Sequence, residues 1–199
     1  MPPRDAPAPA PAPRIAPLPA VRWDERHRSL AARVPEILGP GVPHVVGTLL
    51  HHPDLLEALA PFSLFMLTRG RLPHRERELL ILYTVFLAGA RYEWSRHVPL
   101  ARSAGLRNAE IRRIPRGPGD PAWPDQDRHL LRAAHELHHG ARLSEGTWQA
   151  LAARYDHAGM IEITMLAGCY RMFACLLNSA GTELDPGFTS KDMDCVEGE

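Results

Sequence analysis

From about residue 20 to residue 188, apolar side chains recur at three- and four-residue spacing. No run alternates strictly between apolar and polar positions with turn residues at both ends, so the pattern predicts an all-α chain. Residues 22–33 and 43–51 predict two short helices, the first stopped near Pro35. Residues 53–68, PDLLEALAPFSLFMLT, predict a longer amphipathic helix that Pro61 kinks or splits. In PHRERELLILYTVFLAG (73–89), Pro73 suits a first helical turn, Glu76 and Glu78 follow early, and Gly89 closes the segment. Nearly every position from Leu79 to Leu87 is apolar, which predicts a helix buried on all sides. Residues 92–104 form an amphipathic pattern ended by Gly105, and Asn108 opens the short stretch NAEIRRI. A loop rich in Pro and Gly, 115–124, divides the chain. Beyond it come amphipathic patterns over 125–139 and 144–155 and a second long apolar helix over 159–181. The expected architecture is two helical halves, each containing a long buried helix.

Composition sharpens this picture at the ends. Eight of the 20 prolines fall within the first twenty positions, where alternating Pro and Ala predict a solvated polyproline-like tail over 1–20. The polar stretch 189–199 predicts a second flexible tail, leaving 21–188 as the folded domain. Arg plus Lys (23) equals Asp plus Glu (23), a balance that argues against phosphate-driven nucleic-acid binding and against a polybasic membrane clamp. The amino terminus lacks a secretory apolar core, and no stretch reads as a bilayer span. Three cysteines, at 169, 175 and 195, fit no disulfide or zinc spacing, which points to a reduced cytoplasmic setting.

Candidate chemistry concentrates in 75–106. Glu93 and His97 lie four apart, so on a helix they share a face; such a pair either tunes an acid/base imidazole or is a plain surface ion pair. Glu78 abuts the most apolar stretch of the chain, where an unpartnered carboxylate is costly, although it also complements a helix N-terminus. A third pattern, His135-Glu136-Leu137-His138-His139, matches the two-histidine zinc motif. Gly140 follows at once and no third ligand stands at a familiar distance, so the stretch reads as an exposed helix end and not a metal site.

The segment RERELLILYTVFLAGARYEWSRHVPLARSAGL resembles the carboxymuconolactone decarboxylase superfamily, which includes the AhpD-like alkylhydroperoxidases. The peroxidase pattern places a Glu, a Cys-x-x-Cys pair and a His at fixed spacing. On this chain its ends fall on Glu78 and His97, but its cysteine positions fall on Ala90 and Glu93. The decarboxylase pattern keeps a Glu-x-x-x-His pair, matched by Glu93 and His97. YEWSRHVPLARSAGL and the downstream LLRAAHELHHGARLSEGTWQALAARY and MLAGCYRMFACLLNSAGTELDPG are similar to a longer branch without that cysteine pair.

The resemblance implies an AhpD-like helical fold, assembly as a dimer, trimer or hexamer, and a small-molecule substrate. A thiol peroxidase cycle is excluded, because Ala90 and Glu93 supply neither an attacking nor a resolving thiol. Cys169 and Cys175 are no substitute: six helical residues separate them by about 240°. The remaining chemistry is of the lyase or isomerase type on an activated carbonyl, lactone or carboxylate, with no cofactor. His97 would be the proton donor or base, Glu93 its orienting partner and Glu78 a second acid/base group. Tyr92, Tyr83 and Trp94 would line the pocket. Arg91, Arg96 and Arg171 are candidates for a substrate carboxylate, Arg171 alternatively pairing with a buried acid such as Glu162. Two further readings stand beside this one: a non-catalytic oligomeric binding protein that kept the fold, and a zinc hydrolase built on the HELHH stretch.

Overall fold

Ten consecutive residues, Glu76 to Val85, are buried in one helix, and the rest of the chain is arranged around it. The computed structural model describes residues 12–34 and 41–193. Among these are nine α-helices and no strand: α1 (Glu25–Ala31), α2 (His44–Leu49), α3 (Pro53–Thr68), α4 (His74–Leu87), α5 (Arg91–Ser103), α6 (Asn108–Arg113), α7 (Asp125–Gly140), α8 (Glu145–Ala152) and α9 (His157–Ala180). The buried helix is α4, and it packs on α5, α7 and α9. Its apolar half, Leu79 to Val85, meets Trp94, Leu130, Leu131, Ile163 and Leu166 in the main core. A second, smaller core joins Leu18, Leu30, Val46, Leu50 and Leu56 of the N-terminal segment and helices α1–α3 to Phe173 and Leu176 of α9. The all-α architecture with one long helix in each half is what the periodicity predicts; α4 is buried on all sides and α9 along about half of its surface.

Along the first turns of α4, half-buried Arg75 and buried Glu76 each have partners of opposite charge. Arg75 forks onto Asp127 of α7 (2.8 and 2.7 Å) and reaches Glu110 of α6 (2.7 Å). Glu76 accepts from Tyr155 at 2.7 Å and pairs with Arg154. Entry into α4 is fixed from across the molecule. The carboxylate of Glu162 accepts the backbone amides of Arg71 (2.6 Å) and Leu72 (3.0 Å). Gly70 is required beside it, since a Cβ there would lie 2.3 Å from Glu162 Oε1.

Three expectations change. Pro61 does not split its segment: α3 runs unbroken from Pro53 to Thr68. The amide that Pro61 lacks faces the exposed Glu57, and Leu56, Met66 and Leu67 still anchor the helix on its buried side. The Pro-rich tail is not solvated to residue 20. Residues 1–11 lie outside the described residues, but the Arg14 amide donates to Ala180 (2.7 Å), the Leu18 amide donates to Gly47 (2.9 Å), and Leu18 is buried. The C-terminal segment likewise docks through Ser190 and Met193, which are buried, while 194–199 lie outside the described residues. One apolar side chain in each case supplies the burial that the polar composition around it conceals.

The loop dividing the two halves is also part of the core. Trp123 is buried and donates its indole N–H to the Gly117 carbonyl (3.1 Å). Gly117 takes φ +65°, and a Cβ on it would sit 2.5 Å from the Tyr83 hydroxyl. Finally, α9 has 24 residues and a mean hydropathy of 1.5 over its most apolar window, enough by length and composition to cross a bilayer. Half of that window is buried inside the fold, as in a core helix.

Two stability predictions follow from this packing. Glu162→Ala strands two amides at the entry to α4, and urea unfolding should register a loss of about 2–3 kcal/mol. A loss under about 0.5 kcal/mol would mean that other acceptors serve those amides. Burial alone would raise the Glu110 carboxyl, but hydrogen bonds from Arg107 and Arg75 win and bring it down to about 2. A depressed carboxylate stabilises the fold above its ordinary range and loses that contribution as pH falls toward 2. Glu110→Gln should therefore be less stable than wild type above about pH 5, with the gap closing as pH falls toward about 2. A gap that stays constant over that window would remove Glu110 from the acid response.

Candidate active site

The connection at 88–90 folds α5 back along α4 and brings Glu78 of the second turn of α4 against His97 of α5. Glu78 Oε2 lies 2.8 Å from His97 Nδ1, and Oε1 accepts from the Arg77 guanidinium at 2.9 and 3.1 Å. Glu78 has no exposed surface, and Arg77 and His97 are buried with it. Burial pushes the Glu78 carboxyl upward, but the charges and hydrogen bonds of His97 and Arg77 outweigh it and hold the group below the usual carboxylate range. An ionised carboxylate can only accept, so Nδ1 carries a proton, and when the ring is neutral it is the opposite nitrogen, Nε2, that holds the lone pair.

Glu93 stands one turn before His97 on the same helix and flanks that second nitrogen. Its Oε2 is 3.7 Å from Nε2, too long for a hydrogen bond. Burial raises the Glu93 carboxyl above its ordinary range, Asp185 adds to the effect, and His97 and Arg96 only partly oppose it. Tyr170 of α9 meets the His97 ring edge-on, with centroids 4.8 Å apart, and fixes its plane. The neighbouring Cys169 thiol is pushed up to about 11 by burial and by Glu93, so it stays a thiol at neutral pH.

Glu93 and His97 form part of the floor of a cavity of about 560 Å³ between the two cores. Leu30, Leu49, Leu56, Leu64, Leu67 and Phe173 supply much of its wall. Glu78 does not line it. The structure therefore gives the orienting contact on His97 to Glu78, and gives Glu93 the place beside the open nitrogen, the reverse of the expected assignment.

Tyr92 and Arg96 also reach the cavity, but both are engaged. The Tyr92 hydroxyl donates to Asp185 (2.7 Å) and accepts from the Val45 amide (3.1 Å), and burial raises its pKa. Arg96 pairs with Asp185 at 3.1 Å and lies over the Phe188 ring. Asp185 accepts the His44 amide as well (2.7 Å), tying the start of α2 to α5. Sequence reasoning missed Asp185, Tyr170 and Arg77. Arg77 was readable as the neighbour of Glu78, whereas Asp185 lies after the last long helix, where no periodicity marks it.

Three expected pocket residues lie elsewhere. Tyr83 faces α7, with its hydroxyl 3.4 Å from His135 and packed on Gly117, because one helical position turns it away from α5. Trp94 is fully buried in the main core beside Phe86 and does not line the cavity. Arg171 is exposed and donates to the carbonyls of Leu137 and His138, capping the end of α7; it does not line the cavity, and Glu162 is engaged with the Arg71 and Leu72 amides. Arg91, outside the cavity, donates to Ser190. In the HELHH stretch, Glu136 spends its oxygens on Ser144 (2.7 and 2.9 Å) and Thr147 (2.7 Å), organising the start of α8. Among the described residues no group of three His, Cys, Asp or Glu side chains is arranged to hold a metal ion.

Residues 53–136, from α3 through most of α7, match the carboxymuconolactone decarboxylase family. No curated protein sequence is matched. Several solved structures share the fold. The debrominase Bmp8 superposes with a TM-score of 0.74 at 16% identity, over 92% of this chain and 97% of that one; a variant of it was solved with 2,3,4-tribromopyrrole. An uncharacterised peroxidase-related protein with an alkylhydroperoxidase AhpD core, from Ralstonia eutropha JMP134, gives 0.73 at 20% identity over 88% and 95%. An Agrobacterium tumefaciens protein of unknown function, a putative antioxidant defence protein AhpD, gives 0.63 at 18% over 69% and 94%. Over 53–136, the helices that create the Glu78–His97 contact, the chain is thus similar to the carboxymuconolactone decarboxylase family, and it shares its fold with the AhpD-related structures.

Proposed function

We propose that the protein is a cofactor-independent acid/base enzyme of the lyase or isomerase type, acting on a small activated carbonyl or lactone. The observation that carries this reading is the asymmetric environment of His97: an ionised, fully buried carboxylate on Nδ1, and a carboxyl raised by burial beside Nε2 at the cavity floor. Two carboxyls whose surroundings push their pKa values in opposite directions are suited to different tasks. His97 Nε2 takes a proton from the carbon next to the carbonyl, and Glu93 gives one to the carbonyl oxygen as negative charge develops there. Glu78 is a positioning residue: it sets the tautomer and plane of His97 and stabilises the cation formed when Nε2 takes the proton. The resemblance to the decarboxylase pattern at Glu93 and His97 supports the same assignment. Assembly into a homo-oligomer belongs to the proposal too. Ile161, Met165 and Met172 form an exposed apolar row along α9 that suits a subunit contact.

A second reading, a carrier that binds without turnover, is favoured by one observation. The cavity is far larger and more apolar than a proton-transfer pair requires.

Hydrogen–deuterium exchange at acidic C–H positions of a panel of unsaturated ketones and lactones, followed by NMR in heavy water, tests the first reading. Wild type should accelerate exchange in at least one compound, and His97→Ala should lower that rate by about 10²–10⁴-fold without loss of fold. An unaltered rate in His97→Ala, or no acceleration across the panel, would overturn it and leave the carrier.

The pH profile separates the two carboxyls. Glu93 acts as an acid, so the rate should fall as pH rises through its raised pKa, and Glu93→Gln should abolish that descending limb together with most of the rate. Glu78→Asp should recover part of the rate lost in Glu78→Ala. Equal rates in those two variants would reduce Glu78 to a packing role.

A further inference from the structure

Most of the charged groups around the cavity are already engaged. Arg96 is held by Asp185 at 3.1 Å and stacked on Phe188. Arg77 is committed to Glu78 behind the floor and does not reach the cavity. At the rim, Arg33 and Glu57 face each other at 3.6 Å with half or more of each side chain in solvent, and Arg69 lies over the Phe65 ring. Ser63 gives its hydroxyl to the Leu59 carbonyl (2.9 Å). The groups left to address a ligand at the floor are Glu93 and the open nitrogen of His97, and the wall above them is leucine, valine, proline and phenylalanine. A carboxylate driven down to that floor would lose its hydration, meet no uncommitted cation and approach Glu93. An uncharged ligand meets none of these costs and gains from the apolar wall, and about 560 Å³ accommodates a drug-sized molecule.

We propose that the cavity takes an uncharged, predominantly apolar carbonyl compound, such as an alicyclic or aromatic ketone or lactone, with its polar group at Glu93 and His97, and not a small carboxylate. The inference rests on reading those two residues as the reacting pair, and it narrows the reaction. A neutral substrate has no carboxylate to release as carbon dioxide, and a base and an acid flanking its carbonyl group suit proton transfer between carbons. His97 Nε2 removes a proton next to the carbonyl; the C–H electron pair becomes a C=C bond as the carbonyl oxygen takes the Glu93 proton, giving an enol. The enol then returns its O–H proton to Glu93 while a different carbon of the conjugated system takes the proton from His97. Both residues regain their starting state, and no co-reactant is consumed.

Two fluorescent probes of nearly the same skeleton test the charge preference directly: neutral N-phenyl-1-naphthylamine and anionic 8-anilinonaphthalene-1-sulfonate, titrated into the full chain at pH 7. The neutral probe should bind with one-to-one stoichiometry and at least about tenfold more tightly than the sulfonate. Ala60→Phe, which fills the cavity from an exposed position on α3, should weaken the neutral probe by at least about tenfold with an unchanged thermal melt. Ser63→Phe serves the same purpose if Ala60→Phe melts early. Sulfonate binding as tight as the neutral probe would overturn the proposal in favour of an anionic amphiphile held at the Arg33 and Arg69 rim. Binding of neither probe would overturn it in favour of a cavity closed by another part of the assembly. Neutral binding insensitive to both fillings would place the probe elsewhere, on the α9 row for example, and would equally overturn it. These titrations need no turnover, so their failure is separate from that of the exchange experiment on His97.

Discussion

A carboxylate with no exposed surface, one residue before the most apolar run of the chain, is the constraint on which the rest of the site depends. Glu78 can remain ionised there only if cationic or hydrogen-bonding groups are brought to it, and Arg77 and His97 are those groups. Meeting that requirement pins α5 to α4 at one register. His97 cannot rotate without breaking a 2.8 Å contact, so its Nε2 is aimed at the cavity and at Glu93. The same principle holds along the first turns of α4, where half-buried Arg75 and buried Glu76 are met by Asp127 and Glu110 from two other helices and by Arg154 and Tyr155 from the turn before α9.

The cavity exists because the two cores do not merge. Helices α1–α3 pack on the outer part of α9 through Phe173 and Leu176, while α4, α5 and α7 take its inner part through Ile163 and Leu166. The space between is walled by side chains of the smaller core and floored by polar residues of α5. The Asp185 cluster holds its margin, joining the start of α2, Tyr92 and Arg96 at one carboxylate. Reaction centre and apolar container thus come from different layers. A floor fixed by buried ion pairs carries the proton chemistry, and a wall of aliphatic side chains sets which molecules reach it.

The helices were legible because their signals are local. Periodicity located all nine, and Pro and Gly placed most of their ends, although Pro61 and Pro99 both sit inside helices that continue through them. In each case the buried contacts of the helix outweigh one missing backbone hydrogen bond. Exposure at the termini was less legible. Leu18 and Met193 show that a single apolar residue in a polar, Pro-rich or acidic context can anchor a segment whose composition reads as solvated.

For the site, the sequence by itself determined that Glu78, Glu93 and His97 stand in one short region, that Glu93 and His97 share a helical face, and that no cysteine pair accompanies them. These are matters of identity and of spacing along a helix, which local geometry fixes. The tertiary structure alone decided which carboxyl holds Nδ1 and which one faces the cavity, because that depends on how α4 is rotated against α5. It also decided that Tyr83, Trp94 and Arg171 point away from the site and that Asp185 closes on it. Those outcomes turn on directions set by packing between segments far apart in the chain, and residue spacing carries no record of such directions.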